Sequence, residues 1–131
     1  MKRFEKISIR YICVLSLLFM TGCNHDKEPS VLNGNDLIYI NDGAIQCETE
    51  GMTTTESAQL LINKGIDVIS SYCGFLTGIE AATQCGLGDT NINIHEINSQ
   101  NVPDAQEVGF EPVSTLKQET DIGYQIIECP E

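Results

Sequence analysis

The side chains best suited to chemistry in this sequence are six cysteines and two histidines. Four of the cysteines stand well apart beyond the first third of the chain: Cys47, Cys73, Cys85 and Cys129. A dithiol oxidoreductase carries two cysteines separated by two residues, and a four-cysteine zinc site usually carries two close pairs. Because neither spacing is present, we expect these cysteines to form structural disulfides, and we expect no metal and no other cofactor.

One histidine, His95, lies in the part of the chain that we expect to fold. It ends an alternating run in which Asn91 and Asn93 share its face of a strand, opposite Ile92 and Ile94. A strand face that carries asparagines is usually solvated, so we predict an exposed His95 rather than a catalytic base. The chain also lacks the Gly-x-Ser-x-Gly and His-Glu-x-x-His motifs of serine hydrolases and zinc proteases. We therefore assign no catalytic residue and no metal ligand.

The charge of the chain is negative and unevenly placed, with 19 acidic and 7 basic side chains and a net charge of −12. No arginine follows Arg10, and beyond residue 22 only three lysines stand against 18 carboxylates. Nucleic-acid binding needs basic side chains that neutralise phosphates, and docking on anionic lipid needs a basic face. The composition therefore excludes nucleic acid as a partner and excludes membrane binding through a charged surface.

The N-terminus has the layout of an export signal. Four basic side chains in residues 1–10 precede the apolar run Tyr11 to Met20, which is shorter than the roughly 20 residues that a membrane-spanning helix needs. The sequence Met20-Thr21-Gly22-Cys23 follows. It resembles the lipobox of bacterial lipoproteins, in which an apolar residue and two small residues precede a cysteine, although leucine is usual at the position of Met20.

The lipobox resemblance implies cleavage before Cys23 and lipidation of this cysteine, including fatty acyl chains such as palmitate. Residues 1–22 would then be a signal peptide and residues 23–35 a lipidated, flexible tether. Two or more acyl chains hold a protein stably on a membrane, so Cys23 would be the anchor. The resemblance implies a location in the bacterial cell envelope, and Asn24 favours the outer membrane if the source is Gram-negative.

Cysteine counting agrees with export. Cys13 leaves with the signal peptide and Cys23 takes the lipid, so an even number of cysteines remains in an exported chain. This favours two disulfides, for which three connectivities are open. Among the pairs, Cys73–Cys85 closes a short loop and is the easiest bridge to form, which would leave Cys47 to pair with Cys129.

Residues 36–131 are expected to form a single small α+β domain. Thr53-Thr54-Thr55-Glu56 fits a capping box and starts a helix over 54–64, which Gly65 ends. A second short helix is predicted from Pro103 to Gly109. The following segments are predicted to be strands: 37–40, 44–47, 66–72, 91–95 and 122–127.

From Ala44 onward, the order strand, helix, strand, strand, helix, strand is that of a ferredoxin-like two-layer sandwich. In that topology Cys47, Cys73 and Cys85 would meet at one end of the sheet, whereas Cys129 would lie at the opposite end. Either one cysteine pair is therefore not a disulfide, or the topology differs.

The glycine-flanked stretch from Cys73 to Gly78 is predicted to be a loop in which Phe75 and Leu76 are core residues or an exposed contact patch. The leading functional hypothesis is a non-enzymatic envelope lipoprotein that binds another envelope protein or a ligand. The alternative is a hydrolase, or an enzyme accessory, that acts on envelope polymers through carboxylates, because paired carboxylates need no local motif. A surface protein without a single ligand is a third hypothesis.

Overall fold

The structure is a computed structural model that describes residues 34–80 and 83–130. The predicted signal peptide, Cys23 and nearly all of the predicted tether lie outside the described residues. The elements are β1 (Asn35–Asn41), α1 (Thr54–Asn63), β2 (Val68–Leu76), β3 (Asn91–Asn98), α2 (Val102–Glu107), β4 (Glu111–Pro112) and β5 (Tyr124–Ile127). Short 3₁₀ turns precede α2 and follow β4.

The five strands form one antiparallel sheet with the order β4-β1-β3-β2-β5. The first four strands have the ferredoxin-like order, and β5 is added at the edge beside β2. Side chains from β1, β3, both helices and the segments that follow the helices form one core, which comprises Ile38, Leu61, Ile66, Ile97, Ala105 and Phe110. The α+β class and the two-layer packing are thus confirmed.

Two strands of the fold differ from those predicted. The strand predicted at 37–40 is present as β1 (Asn35–Asn41) and is the first strand of the ferredoxin-like order, whereas residues 44–47, which were predicted to take that place, form a turn bridged to residues 49 and 88. The fourth strand has two residues, too few for any periodic pattern. The predicted last strand is the added β5, in which Ile127 lies opposite Cys73. Cys129 therefore follows β5 to a position beside Cys73 of β2, which removes the topological conflict.

The disulfides are Cys47–Cys85 and Cys73–Cys129, so the prediction of a Cys73–Cys85 bridge was wrong. Short loop length favoured that bridge, but Cys73 lies within a strand whose neighbour delivers Cys129. Cys85 is held instead against the 44–49 turn. The Gln46 N–H donates to the Leu87 carbonyl at 2.9 Å, and the Gln46 carbonyl accepts from the Gly86 N–H at 3.0 Å.

Both ends of α1 are closed as predicted. The Thr53 hydroxyl accepts a hydrogen bond from the Glu56 N–H at 3.2 Å, and the Glu56 carboxylate accepts from the Thr53 N–H at 2.8 Å. At the other end Gly65 has φ of +87°, and the Ile66 N–H donates to the Leu61 carbonyl at 3.0 Å. This closure buries Ile66 against the helix and starts the chain toward β2.

The prediction of a loop from Cys73 to Gly78 was wrong, because β2 continues to Leu76 and pairs there with both β3 and β5. Gly74 makes the second pairing feasible, since a Cβ atom at this position would lie 2.7 Å from the Gln125 carbonyl oxygen. Phe75 and Leu76 are adjacent strand residues and therefore point to opposite faces of the sheet.

Candidate functional site

His95 is fully buried, so the prediction of a solvated histidine was wrong. The predicted alternation of side chains between the two faces of β3 was correct. However, the helices cover the face that carries Asn93 and His95. Ile92 and Ile94 on the opposite face are also buried. Because β3 is the central strand and is buried on both faces, alternation along it does not identify a solvent side.

Both ring nitrogens of His95 are hydrogen-bonded to serine side chains. Nε2 lies 2.9 Å from Oγ of Ser57 on α1, and Nδ1 lies 2.8 Å from Oγ of Ser71 on β2. Phe110 packs edge-on against the ring, with the centroids 5.7 Å apart. The imidazole is therefore fixed by a helix, a neighbouring strand and an aromatic side chain.

The bonds of Ser57 determine the tautomer of His95. Oγ of Ser57 lies 3.1 Å from the Thr53 carbonyl and 3.2 Å from the Thr54 carbonyl, and only a hydroxyl proton can satisfy these contacts. Ser57 must then accept its remaining hydrogen bond from the His95 Nε2–H. This assignment leaves Nδ1 unprotonated, so Nδ1 accepts a hydrogen bond from the hydroxyl of Ser71.

Burial lowers the pKa of His95 from 6.5 to about 4. The cause is desolvation of the imidazolium form, because no charged group contributes to the shift. The ring is therefore neutral at neutral pH, with an unprotonated Nδ1 that accepts the Ser71 hydrogen bond. Ser57 is fully buried, whereas Ser71 is exposed, so one member of this Ser57–His95–Ser71 array meets solvent.

A cavity of about 540 Å³ opens at the N-terminus of α1, beside the array. Its lining includes Thr53, Asn93, Ile127 and the Cys73–Cys129 disulfide. Asn93 and Cys73 are paired with each other, two residues along their strands from the paired residues His95 and Ser71 and on the same face of the sheet. Alternate residues of a strand are about 7 Å apart, so the array lies one row of side chains away from the cavity.

Two carboxylates in different environments also line the cavity. Asp42 is half-buried, and its carboxylate accepts a hydrogen bond from the Ala44 N–H at 2.9 Å. Burial raises the pKa of Asp42, and repulsion from Asp89 acts in the same direction, against the lowering by the Ala44 bond. Glu50 is exposed. A half-buried carboxyl group with a raised pKa and an exposed carboxyl group therefore face the same space.

The residues predicted from sequence contribute unequally to this region. Cys73 and Cys129 line the cavity, whereas Cys47 and Cys85 join the two loops beside it. Phe75 and Leu76 are half-buried outside the cavity lining, and a contact patch at these residues stays a prediction. Lipidation of Cys23 also stays a prediction, because this residue lies outside the described part of the chain.

The sequence reasoning missed Ser57 and Ser71. A signal for Ser57 was present: it stands four positions before Leu61, so it must share the buried face of α1 with this leucine. Ser71 carries no comparable signal, since its role depends on the register that places it opposite His95.

Searches among known proteins return nothing for this chain: no family model, no curated protein and no solved structure matches it. Within residues 34–80 and 83–130, no group of three or more acidic, histidine or cysteine side chains could hold a metal ion. No helix in these residues is long and apolar enough to cross a membrane.

Proposed function

We propose that the protein is a bacterial cell-envelope lipoprotein, anchored through lipidated Cys23, whose folded domain binds a partner at the cavity beside α1. The observation that carries the envelope location is the pair of disulfides, Cys47–Cys85 and Cys73–Cys129. Disulfides persist in oxidising compartments outside the cytoplasm. They use all four cysteines of the described residues, which agrees with the separate role proposed for Cys23.

The size and lining of the cavity support a binding role. Ligand sites usually enclose about 300–1,000 Å³, and the cavity of about 540 Å³ falls within this range. Its walls combine apolar groups such as Ile127 with polar groups such as Thr53 and Asn93. With Asp42 and Glu50 at its edge, the cavity favours a neutral or cationic segment of another envelope protein over an anionic ligand.

The anchor is tested by intact mass spectrometry of the membrane fraction from cells that express the full chain. We expect a mature wild-type protein that begins at Cys23 and carries acyl chains, and we expect Cys23→Ser to lose both the lipid and the membrane association. Cys13→Ser is the matched control, because it removes a cysteine from the signal without touching the lipidation site. An unlipidated wild-type protein, or equal lipidation in Cys23→Ser, would refute the anchor.

The binding role is tested by photo-cross-linking in envelope fractions, with the cross-linker placed at Thr54 in the cavity wall. We expect one discrete adduct that disappears in Glu50→Arg, which reverses a charge at the cavity. Glu48→Arg makes the same charge change on the neighbouring turn outside this cavity and should leave the adduct intact. Equal loss in both variants, or no adduct, would contradict binding at the cavity.

A carboxylate hydrolase acting on envelope polymers is the second candidate, and the unlike environments of Asp42 and Glu50 favour it. A carboxyl with a raised pKa can act as an acid, while an exposed carboxylate can act as a base or a nucleophile. If purified protein releases soluble fragments from peptidoglycan, Asp42→Asn should abolish the release and Asp36→Asn, on β1, should not. Absence of release by the wild type would exclude this activity on peptidoglycan.

A further inference from the structure

The Ser57–His95–Ser71 array combines one exposed serine residue with a buried, oriented base. A hydroxyl becomes a useful nucleophile when a base lies within hydrogen-bond distance and a third group holds that base in position. Ser71 Oγ lies 2.8 Å from His95 Nδ1, and Ser57 holds the other nitrogen at 2.9 Å. All three roles are therefore filled, and Ser71, the residue that would attack, is exposed.

We propose that Ser71 is a nucleophile that accepts an acyl group from a carboxylic ester, with Nδ1 of His95 as its general base. Ser57 is a positioning residue, because it acts only by holding Nε2–H and fixing the tautomer. This assignment goes beyond the proposed binding function and does not depend on the lipid anchor.

The edge of the sheet leaves Ser71 open to a substrate. β5 pairs with β2 from Cys73 to Leu76 and, in the described part of the chain, does not extend alongside Ser71. Ser70, the preceding residue, points to the other face and donates to the Glu96 carboxylate at 2.6 Å. The two adjacent serines therefore have the same chemistry but different partners, and only Ser71 is bonded to an imidazole.

The cavity gives the substrate a place to bind. It begins at Cys73 and Asn93, one row of side chains from Ser71 and His95. An ester whose carbonyl carbon reaches Ser71 can place its acyl chain or its alcohol part along this row, at a distance of about 7 Å. The mixed apolar and polar lining suits an uncharged ester better than an anionic one.

The proposed reaction is balanced with the ester and water alone. Oγ of Ser71 attacks the carbonyl carbon while Nδ1 of His95 takes its proton, and the resulting imidazolium donates from Nε2 to Ser57. The carbon–oxygen bond to the alcohol breaks, and the alcohol leaves with the proton from Nδ1. A water molecule then attacks the acyl-serine and gives a proton to Nδ1, and Nδ1 passes this proton to Oγ of Ser71 as the carboxylic acid is released, which restores Ser71 and the neutral imidazole.

The environment of His95 sets the expected pH dependence. None of the groups that face its ring is ionised: they are Ser57 from α1, Ser71 from β2, Ile38 from β1 and Phe110 after α2. The carboxylates adjacent to the array in sequence, Glu56 and Glu96, are bonded elsewhere, to Thr53 and to Ser70. With a pKa of about 4, the base remains available across the neutral range.

The proposal is tested with the full-length protein, extracted in detergent with its disulfides intact, and a biotinylated fluorophosphonate as probe. Attack by Ser71 on phosphorus releases fluoride and leaves a stable phosphonyl-serine that peptide mass spectrometry locates. We expect modification of Ser71 in the wild type and no modification of this position in Ser71→Ala, which lacks the attacking hydroxyl. Ser70→Ala is the matched control and should react at the wild-type rate.

The pH profile separates catalysis from adventitious reactivity. The labelling rate should be constant from about pH 6 to about pH 9 and should fall as the pH approaches 4, because protonated His95 cannot accept the proton. Ser57→Ala should slow labelling at every pH without changing the site of modification. No labelling of native protein, equal labelling of Ser70, or a rate that rises steadily with pH would each overturn the proposal.

Discussion

Acidification should destabilise the domain through His95 well before most carboxylates titrate. Burial lowers the folded-state pKa of His95 from 6.5 to about 4, so between these values the unfolded chain binds a proton that the folded domain does not. The contribution of His95 is therefore fully present above about pH 6.5 and decreases as the pH falls toward 4. The full shift corresponds to about 3 kcal/mol of unfolding free energy.

The part of this effect that can be isolated lies between pH 7 and pH 5. Over that interval the linkage relation gives a loss of about 2 kcal/mol for a histidine with these two pKa values. Most carboxylates change their protonation below about pH 5 and contribute little in this window. Urea unfolding followed by far-UV circular dichroism, with disulfides intact, would measure the difference directly.

The comparison that decides this prediction is between His95→Gln and His25→Gln. Glutamine retains a buried hydrogen-bonding group at position 95 but does not titrate, so the loss between pH 7 and pH 5 should vanish even if the variant is less stable overall. His25 is the other histidine of the chain and stands in the predicted tether, so His25→Gln should keep the wild-type pH dependence. Equal pH dependence in His95→Gln and wild type would refute the assignment of this effect to His95.

Three further predictions concern stability at neutral pH. Thr53→Ala removes the side-chain half of the capping box and should cost about 1 kcal/mol, measured by urea unfolding. Gly74→Ala places a Cβ against the Gln125 carbonyl, so β5 must shift, and we expect a loss of about 1–3 kcal/mol and faster amide exchange in β5. Replacing the Cys47–Cys85 pair by alanines opens a loop with a sequence separation of 38 residues and should cost about 4 kcal/mol in the chain-entropy description, measured by thermal or urea unfolding.

Thr53→Ala and Gly74→Ala each have a control variant. Thr55→Ala changes a threonine of α1 outside the capping box and should have little effect, so equal losses in Thr53→Ala and Thr55→Ala would contradict the capping argument. Gly34→Ala meets its nearest atom at an ordinary 3.6 Å and should be tolerated. For the disulfide, intact stability after loss of the pair would mean that the 44–49 turn is held by its backbone hydrogen bonds alone.

The features predicted correctly are those that depend on residues close together in the sequence. The caps of α1 are built from Thr53, Glu56 and Gly65, all within one short segment, so their chemistry can be recognised without the fold. Pro103 and Gly109 delimit α2 in the same way. The disulfide pairing and the identity of β4 depend on which strands lie side by side, and no local pattern carries that information.

The prediction for His95 failed for a related reason. Alternation along β3 separates two faces, but it does not state which face a helix covers, and here both are buried. What would have distinguished them is the serine on α1. Ser57 occupies a position that the spacing to Leu61 assigns to the buried side of the helix, and because its hydroxyl donates within the helix, its oxygen still lacks a donor. The partner available on the central strand is His95.

Burying the polar side chains of the Ser57–His95–Ser71 array costs desolvation free energy, and the packing of the core does not require polar side chains at these positions. Buried hydrogen-bonded groups can often be replaced by apolar side chains of similar shape with little loss of stability, because the desolvation of the polar atoms offsets much of the hydrogen-bond energy. His95 and Ser57 occupy fully buried positions in a small core, where isoleucine, leucine and phenylalanine fill the neighbouring sites. A hydrogen-bond network with only a structural role could have all three of its side chains buried. The exposure of Ser71, bonded to a neutral imidazole at the open edge of β2, is the feature that a purely structural network does not require, and it is the reason that we assign chemistry to this position.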